Sequence, residues 1–234
     1  MQNQKMTRRR KYLIAIVLLA FGIGANGQEP PKALLVDEFG NLPCDDSMAR
    51  LDHLYSELHE NPSSSGFVVI ANSPDKRRDS VFRQRMIENY TRFRGFDLNR
   101  IKIVRETVGE EMKVSFWRLP FGSPEPKVDV DGTYEIPSTI KKPFMFGAEE
   151  SHGQMECAEY SEEIFARFLN ANPAARANLV FRDTTSKAGM RRANRVVSEL
   201  VEKHGIVRNR IRVFILRPNT HPGGEPITEF WYLP

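Results

Sequence analysis

Three stretches of this chain recur, in the same order, about 110 residues further on. Each pair shares turn residues and an apolar pattern: Asn61–Ile70 with Asn172–Phe181, Gly95–Ile103 with Gly205–Val213, and Phe116–Pro120 with Phe230–Pro234. The separations are 111, 110 and 114 residues, so the order is kept with small insertions. Repeats of about 20 to 50 residues are typical of solenoids and propellers. A longer period such as this one instead predicts two related domains.

The two copies show the same order of predicted elements. Residues at helical spacing indicate two helices in each copy: Met48, Leu51, Leu54, Tyr55 and Leu58, then Phe82, Met86, Ile87, Tyr90 and Phe93; in the second copy Tyr160, Ile164, Phe165 and Phe168, then Ala193, Val196, Val197 and Leu200. Apolar runs indicate the strands: Phe67–Ala71, Ile101–Glu106 and Lys113–Leu119, then Leu179–Arg182, Ile211–Leu216 and Pro226–Tyr232. Gly109 between the last two strands of the first copy predicts an antiparallel hairpin.

A short apolar segment precedes each copy, at Ala33–Val36 and Pro143–Phe146, and is predicted to add a first strand. The predicted fold class is therefore α+β. It consists of two repeated β-α-β-α-β-β modules, each a mixed sheet with helices packed on one face. Trp117 and Trp231 lie at equivalent places in the last strands, where we interpret them as core anchors.

Proline is concentrated between the copies, which predicts an extended, semi-rigid connector. The predicted organisation is a first module at 28–121, a linker at 122–143 and a second module at 144–234. Within the linker, Asp129-Val-Asp131-Gly132 has two of the acids of a calcium loop. It lacks the further oxygen ligands and the closing glutamate that such a loop needs, so a polar turn is favoured.

The first 27 residues have the three parts of a secretory signal peptide. Basic residues at positions 5 and 8–11 precede a 12-residue apolar run from Tyr12 to Ile23, and the small residues Ala25 and Gly27 follow. Crossing a bilayer takes roughly 20 apolar residues, so cleavage after Gly27 is expected. The alternative is an uncleaved inner-membrane anchor. No later segment is apolar enough to span, so the mature chain is expected in the periplasm or another extracytoplasmic space.

The net charge of the whole chain does not describe the part that follows the first 27 residues. The chain has 34 Lys and Arg against 30 Asp and Glu, a formal charge of +4. Five of the basic residues lie in the leader, which holds no acid, so 29 positive groups face 30 negative ones in the remainder. Nucleic-acid binding needs a net basic surface. The sequence therefore predicts no nucleic-acid partner.

Cys44 and Cys157 are the only cysteines, and each lies just before or at the start of the first helix of its copy. In an oxidising compartment such a pair can form a disulfide. Equivalent positions meet only if the copies pack about a pseudo-twofold axis that brings the helix starts together. Two buried thiols are the alternative, and the sequence leaves both open.

Motifs of catalysis and metal binding are missing from the sequence. There is no Gly-x-Ser-x-Gly elbow, no Cys-x-x-Cys or His-x-x-x-His spacing and no phosphate-binding glycine loop, and the five histidines are scattered. We therefore expect no catalytic residues, no metal and no cofactor. An extracytoplasmic enzyme with an unrecognised site is the alternative.

Two segments resemble the OmpA-like C-terminal domain, a periplasmic peptidoglycan-binding module of envelope proteins. In the first copy the resemblance rests on Leu51-Asp-His-Leu54-Tyr55-Ser-Glu-Leu58, a turn, and Val68-Val69-Ile70. In the second it rests on Arg191-Arg192-Ala193-Asn-Arg-Val196-Val197-Ser-Glu-Leu200, followed by Gly205-Ile206 and Arg210-Ile211. The tandem arrangement is also similar to that of exported bacterial proteins with repeated modules.

The resemblance implies a ligand site made of one Asp and one Arg, which in the family hold the diaminopimelate of the peptidoglycan stem peptide. The matching residues here are Asp183 and Arg192. The carboxylate would bind the ligand's ammonium, while the guanidinium would clamp its carboxylate close to a helix N-terminus. The loop between the two is shorter than in the family. In the first copy Phe82 takes the place of the arginine, with Arg83 beside it, so binding is expected only in the second.

Together these observations predict an exported, non-enzymatic envelope protein with two OmpA-like modules. Its second module would bind peptidoglycan stem peptide through Asp183 and Arg192. The alternative is a periplasmic protein-interaction or scaffold module that has lost cell-wall binding, with another envelope protein as its partner.

Overall fold

The computed structural model describes residues 30–109, 111–150, 161–216 and 226–234. It contains two four-stranded mixed sheets and four α-helices, in the order β-α-β-α-β-β twice over. The predicted α+β fold class and its repeated modules are confirmed. The proposed signal segment at 1–27, Tyr160 and Cys157 lie outside the described residues. None of the described helices combines the length and hydropathy needed to cross a bilayer.

The first module has six elements: β1 (Leu34–Phe39), α1 (Cys44–Glu60), β2 (Ser65–Asn72), α2 (Arg77–Phe93), β3 (Ile101–Thr107) and β4 (Lys113–Leu119). Short 3₁₀ turns at Pro74–Lys76 and Leu98–Arg100 lead into α2 and β3. The strand order is β1-β4-β2-β3, with β2 parallel to β3 and antiparallel to β4.

The second module repeats this plan with β5 (Phe144–Glu150), α3 (Ser161–Ala171), β6 (Arg176–Arg182), α4 (Ser186–Ser198), β7 (Ile211–Leu216) and β8 (Ile227–Leu233). A π-helical turn at Glu199–Lys203 extends α4, and the strand order is β5-β8-β6-β7. The register of β1 shifts between Leu35 and Asp37, and that of β5 shifts between Met145 and Gly147, at equivalent positions. The repeat is therefore preserved down to a local irregularity.

The predicted hairpin of the last two strands is wrong. β3 and β4 lie on opposite sides of β2 and do not pair. A strand-helix-strand crossover places β3 parallel and adjacent to β2, and this leaves the other side of β2 for β4. Gly109 therefore sits in a connection that crosses over the sheet rather than in a tight turn.

The repeated Asn-Arg-Ile step holds the end of the first helix in each module. Arg100 donates from Nη2 to the carbonyls of Leu58 and Ser64, at 2.8 and 3.0 Å. Arg210 donates to three carbonyls, those of Leu169, Ala175 and Asn172, each at 2.8 Å. Carbonyls at a helix C-terminus have no intrahelical partner. The most recognisable part of the repeat therefore has a structural role.

Each module buries its helices against one sheet face. In the first, Leu51, Leu54 and Leu58 of α1 are fully buried against the helix-facing side of β2. In the second, Phe165, Phe168 and Leu169 of α3 are equally buried. Gly95 and Gly205 follow the second helices with φ of +66° and +70°, a left-handed conformation that favours glycine at a helix end.

The second module's core also includes residues of the first. Val81 and Phe82 of α2 belong to the same buried cluster as Phe146, Phe165 and Phe168. Polar contacts reinforce this packing: Arg85 forms an ion pair with Glu163 at 2.6 Å, and Arg78 donates to the carbonyl of Met145 at 2.8 Å. The two modules therefore share apolar core across their boundary.

The connector packs closely on the first module. Val128 contacts the sheet face that points away from the helices. Asp131 accepts hydrogen bonds from Arg77 (2.8 Å), Thr107 and Thr133, which lower its pKa well below the ordinary value although burial alone would raise it. No cluster of three metal-binding side chains occurs among the described residues. The contacts of Asp131 are those of a polar turn.

Candidate functional site

Asp183 follows the last residue of the central strand β6. Its side chain is 7% exposed, and its Oδ1 accepts a hydrogen bond from the backbone N–H of Thr184 at 2.8 Å. The loop then turns at once into α4, where the hydroxyl of Thr185 caps the helix by accepting from the N–H of Ala188. This short turn holds the carboxylate close to the start of the helix.

Arg192 lies in the second turn of α4 and meets Asp183 directly. Its Nη2 is 2.8 Å from Oδ2 of Asp183, and its side chain is 19% exposed. The structure thus brings together the two residues that the sequence singled out. It also pairs their charges with each other. A ligand with an ammonium and a carboxylate would have to open this ion pair before either charge could bind it.

Gly189 allows the close approach that holds the pair. A Cβ at this position would lie 3.1 Å from Cγ2 of Ile215 and 3.5 Å from Cβ of Asp183. The first of these distances is tighter than an ordinary van der Waals contact. The absence of a side chain at Gly189 therefore lets α4 lie close to β6 and β7.

The equivalent place in the first module contains no ion pair. Asn72 occupies the position of Asp183 and repeats its backbone contact, because its Oδ1 accepts from the N–H of Ser73 at 2.9 Å. Phe82 occupies the position of Arg192 and packs in the second module's core. Arg83 beside it is buried and donates to Asn41 and to the carbonyl of Leu42. The position that the resemblance assigns to the ligand-binding arginine serves inter-module packing here.

A cavity of about 450 Å³ lies between the modules, and the sequence did not indicate it. It is lined by Phe82, Arg83 and Met86 of α2 and by Met145 and Phe146 of β5, among others. The two arginines at its wall, Arg83 and Arg78, both donate to backbone carbonyls. The helical spacing of Phe82 and Met86 indicated only a core position within their own module.

Cys44 lies at the edge of this cavity and is disulfide-bonded. Cys157, the other cysteine of the chain, lies outside the described residues.

The outer faces of the two sheets, which point away from the helices, differ sharply. In the first module Phe67, Val69, Val104 and Leu119 are at most 7% exposed, since Val128, Ala33 and Trp117 pack against them. We call the corresponding surface of the second module the outer face. It is formed by Val180, Arg182, Arg212, Phe214, Leu216, Glu229 and Trp231. There Phe214 is 42% and Leu216 41% exposed.

The outer face has a neutralised polar centre. Glu229 accepts from Nε of Arg182 and from Nε1 of Trp231, both at 2.9 Å. Burial would raise the pKa of Glu229, but these two hydrogen bonds outweigh it and lower the pKa below its ordinary value. Trp231 is therefore half-buried on this surface, and does not lie inside the core as the sequence interpretation expected.

The sequence of β7 contains a signal for this exposed apolar surface. The strand contains the apolar run Val213-Phe214-Ile215-Leu216, so both of its faces are apolar towards its end. Val213 and Ile215 face the helices, while Phe214 and Leu216 face outward. A strand that is apolar on both faces needs a packing partner on each face of its sheet.

The second module also contains a buried acid, Glu162, that shares a hydrogen bond with the partly exposed Glu199. Burial, a hydrogen bond with Glu199 and the negative charges of Glu199 and Glu149 raise the pKa of Glu162 to about 8. The same hydrogen bond lowers the pKa of Glu199. Glu162 therefore carries the proton that it shares with Glu199 over much of the neutral range. Neither acid lines the inter-module cavity.

No protein-family model, curated protein or solved structure matches this chain. The OmpA-like resemblance thus stays a prediction from the residues quoted above.

Proposed function

We propose that this chain is an exported, non-catalytic interaction protein of the cell envelope, whose second module presents its outer face to a partner protein. The observation that carries the proposal is the exposure of Phe214 and Leu216 on a face whose counterpart in the first module is covered. Contiguous exposed apolar residues mark interaction surfaces more often than isolated ones do.

The closed state of the ion pair supports a binding role elsewhere in the module. Asp183 and Arg192 already satisfy each other at 2.8 Å, and only 7% of the Asp183 side chain is exposed. Opening a buried pair leaves two desolvated charges, which costs several kcal/mol unless the ligand replaces both partners. The outer face needs no such opening.

Site-specific photo-crosslinking tests the proposal. A benzophenone amino acid replaces Phe214 in the full chain, and the protein is irradiated in envelope extract of the cells that produce it. The matched control carries the same group at Phe93, which is 54% exposed at the end of α2. A discrete protein adduct formed from position 214 and not from position 93 supports the proposal. Equal adducts from both positions, or none from 214, contradict it.

Cell-wall binding through Asp183 and Arg192 is a second candidate, because the two residues named by the resemblance lie within 2.8 Å of each other. Sedimentation with purified sacculi tests it. The candidate requires that the chain pellets with sacculi and that Asp183→Ala and Arg192→Ala abolish pelleting. Arg195→Ala is the control, since Arg195 lies on the same helix and is 61% exposed. Absent pelleting, or pelleting unchanged in the first two variants, removes this candidate.

A further inference from the structure

We propose that the outer face of the second module binds an extended strand of a partner protein, in which an acidic residue is followed three positions later by a β-branched apolar residue. This inference rests on the proposed function and names the chemistry of the partner. The strand would cross this face in the direction of β7, from Arg212 towards Phe214. The first module of the same chain shows how an equivalent face is covered.

The connector covers the first module's outer face with two anchors. Oε2 of Glu125 forms an ion pair with Nζ of Lys102 at 2.6 Å, at the start of β3. Three residues later Val128 packs on the cluster that contains Val104. The covering segment is thus an acidic residue and an aliphatic residue on an extended, proline-containing chain.

The connector also reaches the main chain of the edge strand. Val130 forms an antiparallel bridge with Glu106 of β3, and the N–H of Asp131 donates to the carbonyl of Arg105 at 2.8 Å. An edge strand offers a row of unpaired N–H and C=O groups that an extended segment can pair with. The first module therefore has the end of its edge strand paired from within the chain.

The second module presents the same anchor positions, and no described segment of the chain covers them as the connector covers the first. β7 is the edge strand that corresponds to β3, and within the described residues it pairs only with β6. Arg212 corresponds to Lys102 and is exposed, so the positive charge of the anchor is kept. Phe214 corresponds to Val104, yet it is 42% exposed where Val104 is 7% exposed. Both anchors are in place for an acidic and apolar strand.

The positive charge of the outer face favours such a strand over a second copy of this chain. A symmetric contact between two outer faces would place two Arg212 side chains in one interface, together with Arg182 from each copy. Arg182 already uses its Nε to bind Glu229, which leaves Arg212 to be neutralised by the partner. An acidic residue on the partner strand provides that charge, as Glu125 does for Lys102.

A synthetic peptide of residues 121–133 is the probe, labelled with fluorescein at its N-terminus and titrated with the full chain. The intrachain segment already covers the first module, so added peptide should bind the second. Saturable one-to-one binding is expected, and Phe214→Asp should weaken it about tenfold or more through loss of apolar contact. Arg212→Glu should weaken it about fivefold, because an attraction becomes a repulsion.

Charge reversal makes the test specific. A peptide with Glu125→Lys should bind the Arg212→Glu chain more tightly than the unchanged chain. Lys102→Glu is the matched control in the first module and should change peptide affinity by less than about twofold. Hydrogen exchange should show protection of β7 amides on peptide addition. Both variants change exposed side chains, and circular dichroism should confirm that they fold.

Three results with the peptide would overturn the inference. These are no binding up to about 1 mM peptide, binding that Phe214→Asp leaves unchanged, and protection that falls on β3 instead of β7. Concentration-dependent dimers that Phe214→Asp abolishes would also overturn it, because a second copy would then be the occupant. If the peptide fails while the crosslink from position 214 persists, the strand chemistry is wrong and the proposed function stands. If both fail, the proposed function fails too.

Discussion

The rings of Phe82 and Phe146 meet across the boundary between the modules, with their centroids 5.6 Å apart and their planes tilted by 53°. Phe82 belongs to α2 of the first module and Phe146 to β5 of the second, and both are buried. The position that corresponds to Arg192 thus serves as an apolar link between the two halves. The two modules behave in this respect as one packed unit.

Replacing Phe82 by alanine should loosen that link. Phe→Ala in a buried site costs about 3 kcal/mol or more through lost burial and the cavity left behind. We expect the free energy of unfolding to fall by about this amount, and calorimetry should show the modules melting less cooperatively. Phe93→Ala is the control, because Phe93 is 54% exposed and should cost much less. Equal losses in both variants would contradict a linking role for Phe82.

Removing Arg192 alone should destabilise the second module. Arg192→Ala leaves the buried carboxylate of Asp183 without its ion-pair partner, at a cost of about 2–3 kcal/mol in urea unfolding. The double variant Asp183→Asn with Arg192→Phe copies the pair Asn72 and Phe82 of the first module and should recover most of the loss. If the double variant is no more stable than Arg192→Ala, the buried charge is not the cause.

The two helix-end arginines should differ in importance. Arg210→Met removes hydrogen bonds to three carbonyls and should lower stability by about 2 kcal/mol. Arg100→Met removes bonds to two and should cost less, by about 0.5–1 kcal/mol. Denaturant unfolding of the two variants measures the difference. A larger loss for Arg100→Met would show that carbonyl pairing does not determine the effect.

Glu162 should make the stability of the chain depend on pH. Its pKa rises from 4.5 to about 8 on folding, so the protonated form is favoured in the folded state. The stabilisation is fully present below the unfolded pKa and is lost as the pH rises through about 8. We expect Glu162→Gln to be more stable than the unchanged chain at pH 8, by about 1 kcal/mol or more, and similar to it at pH 4.

Thermal unfolding of both proteins across pH 4 to 9 provides that comparison. Gln keeps a side-chain donor for Glu199 and carries no charge, so its curve should be flatter through the neutral range. Glu202→Gln is the control, since Glu202 lies in the same π-helical turn as Glu199 and is exposed. A Glu162→Gln curve parallel to that of the unchanged chain would rule out titration of Glu162.

Much of the fold could be predicted from periodicity. The helical spacing of Leu51, Leu54 and Leu58 identified α1, and the apolar runs identified the strands, because burial of one face leaves a period in the sequence. The pairing of β3 with β4 was predicted wrongly. A glycine between two strands is a local signal, whereas the partner of a strand depends on the crossover that precedes it.

The candidate sites were less predictable for the same reason. The resemblance named Asp183 and Arg192 as ligand-binding residues, and only their geometry shows that each neutralises the other. Phe82 continues the apolar stripe of its own helix, and no pattern within α2 shows that the stripe reaches a second core. Phe214 and Leu216 are of the same residue types as buried strand residues. Whether another segment packs on them depends on the tertiary structure, which the pattern of one strand does not show.

The connector that follows β4 makes the outer sheet faces of the two modules differ in how their occupancy depends on concentration. Because its anchors Glu125 and Val128 lie only a few residues beyond Leu119, it meets the first sheet as a tethered ligand. Short tethers correspond to effective concentrations of the order of millimolar. A strand from another molecule has no such tether, so its occupancy of the second sheet would follow its own abundance. The first sheet is therefore covered at every protein concentration, whereas occupancy of the second would depend on the concentration of the partner strand.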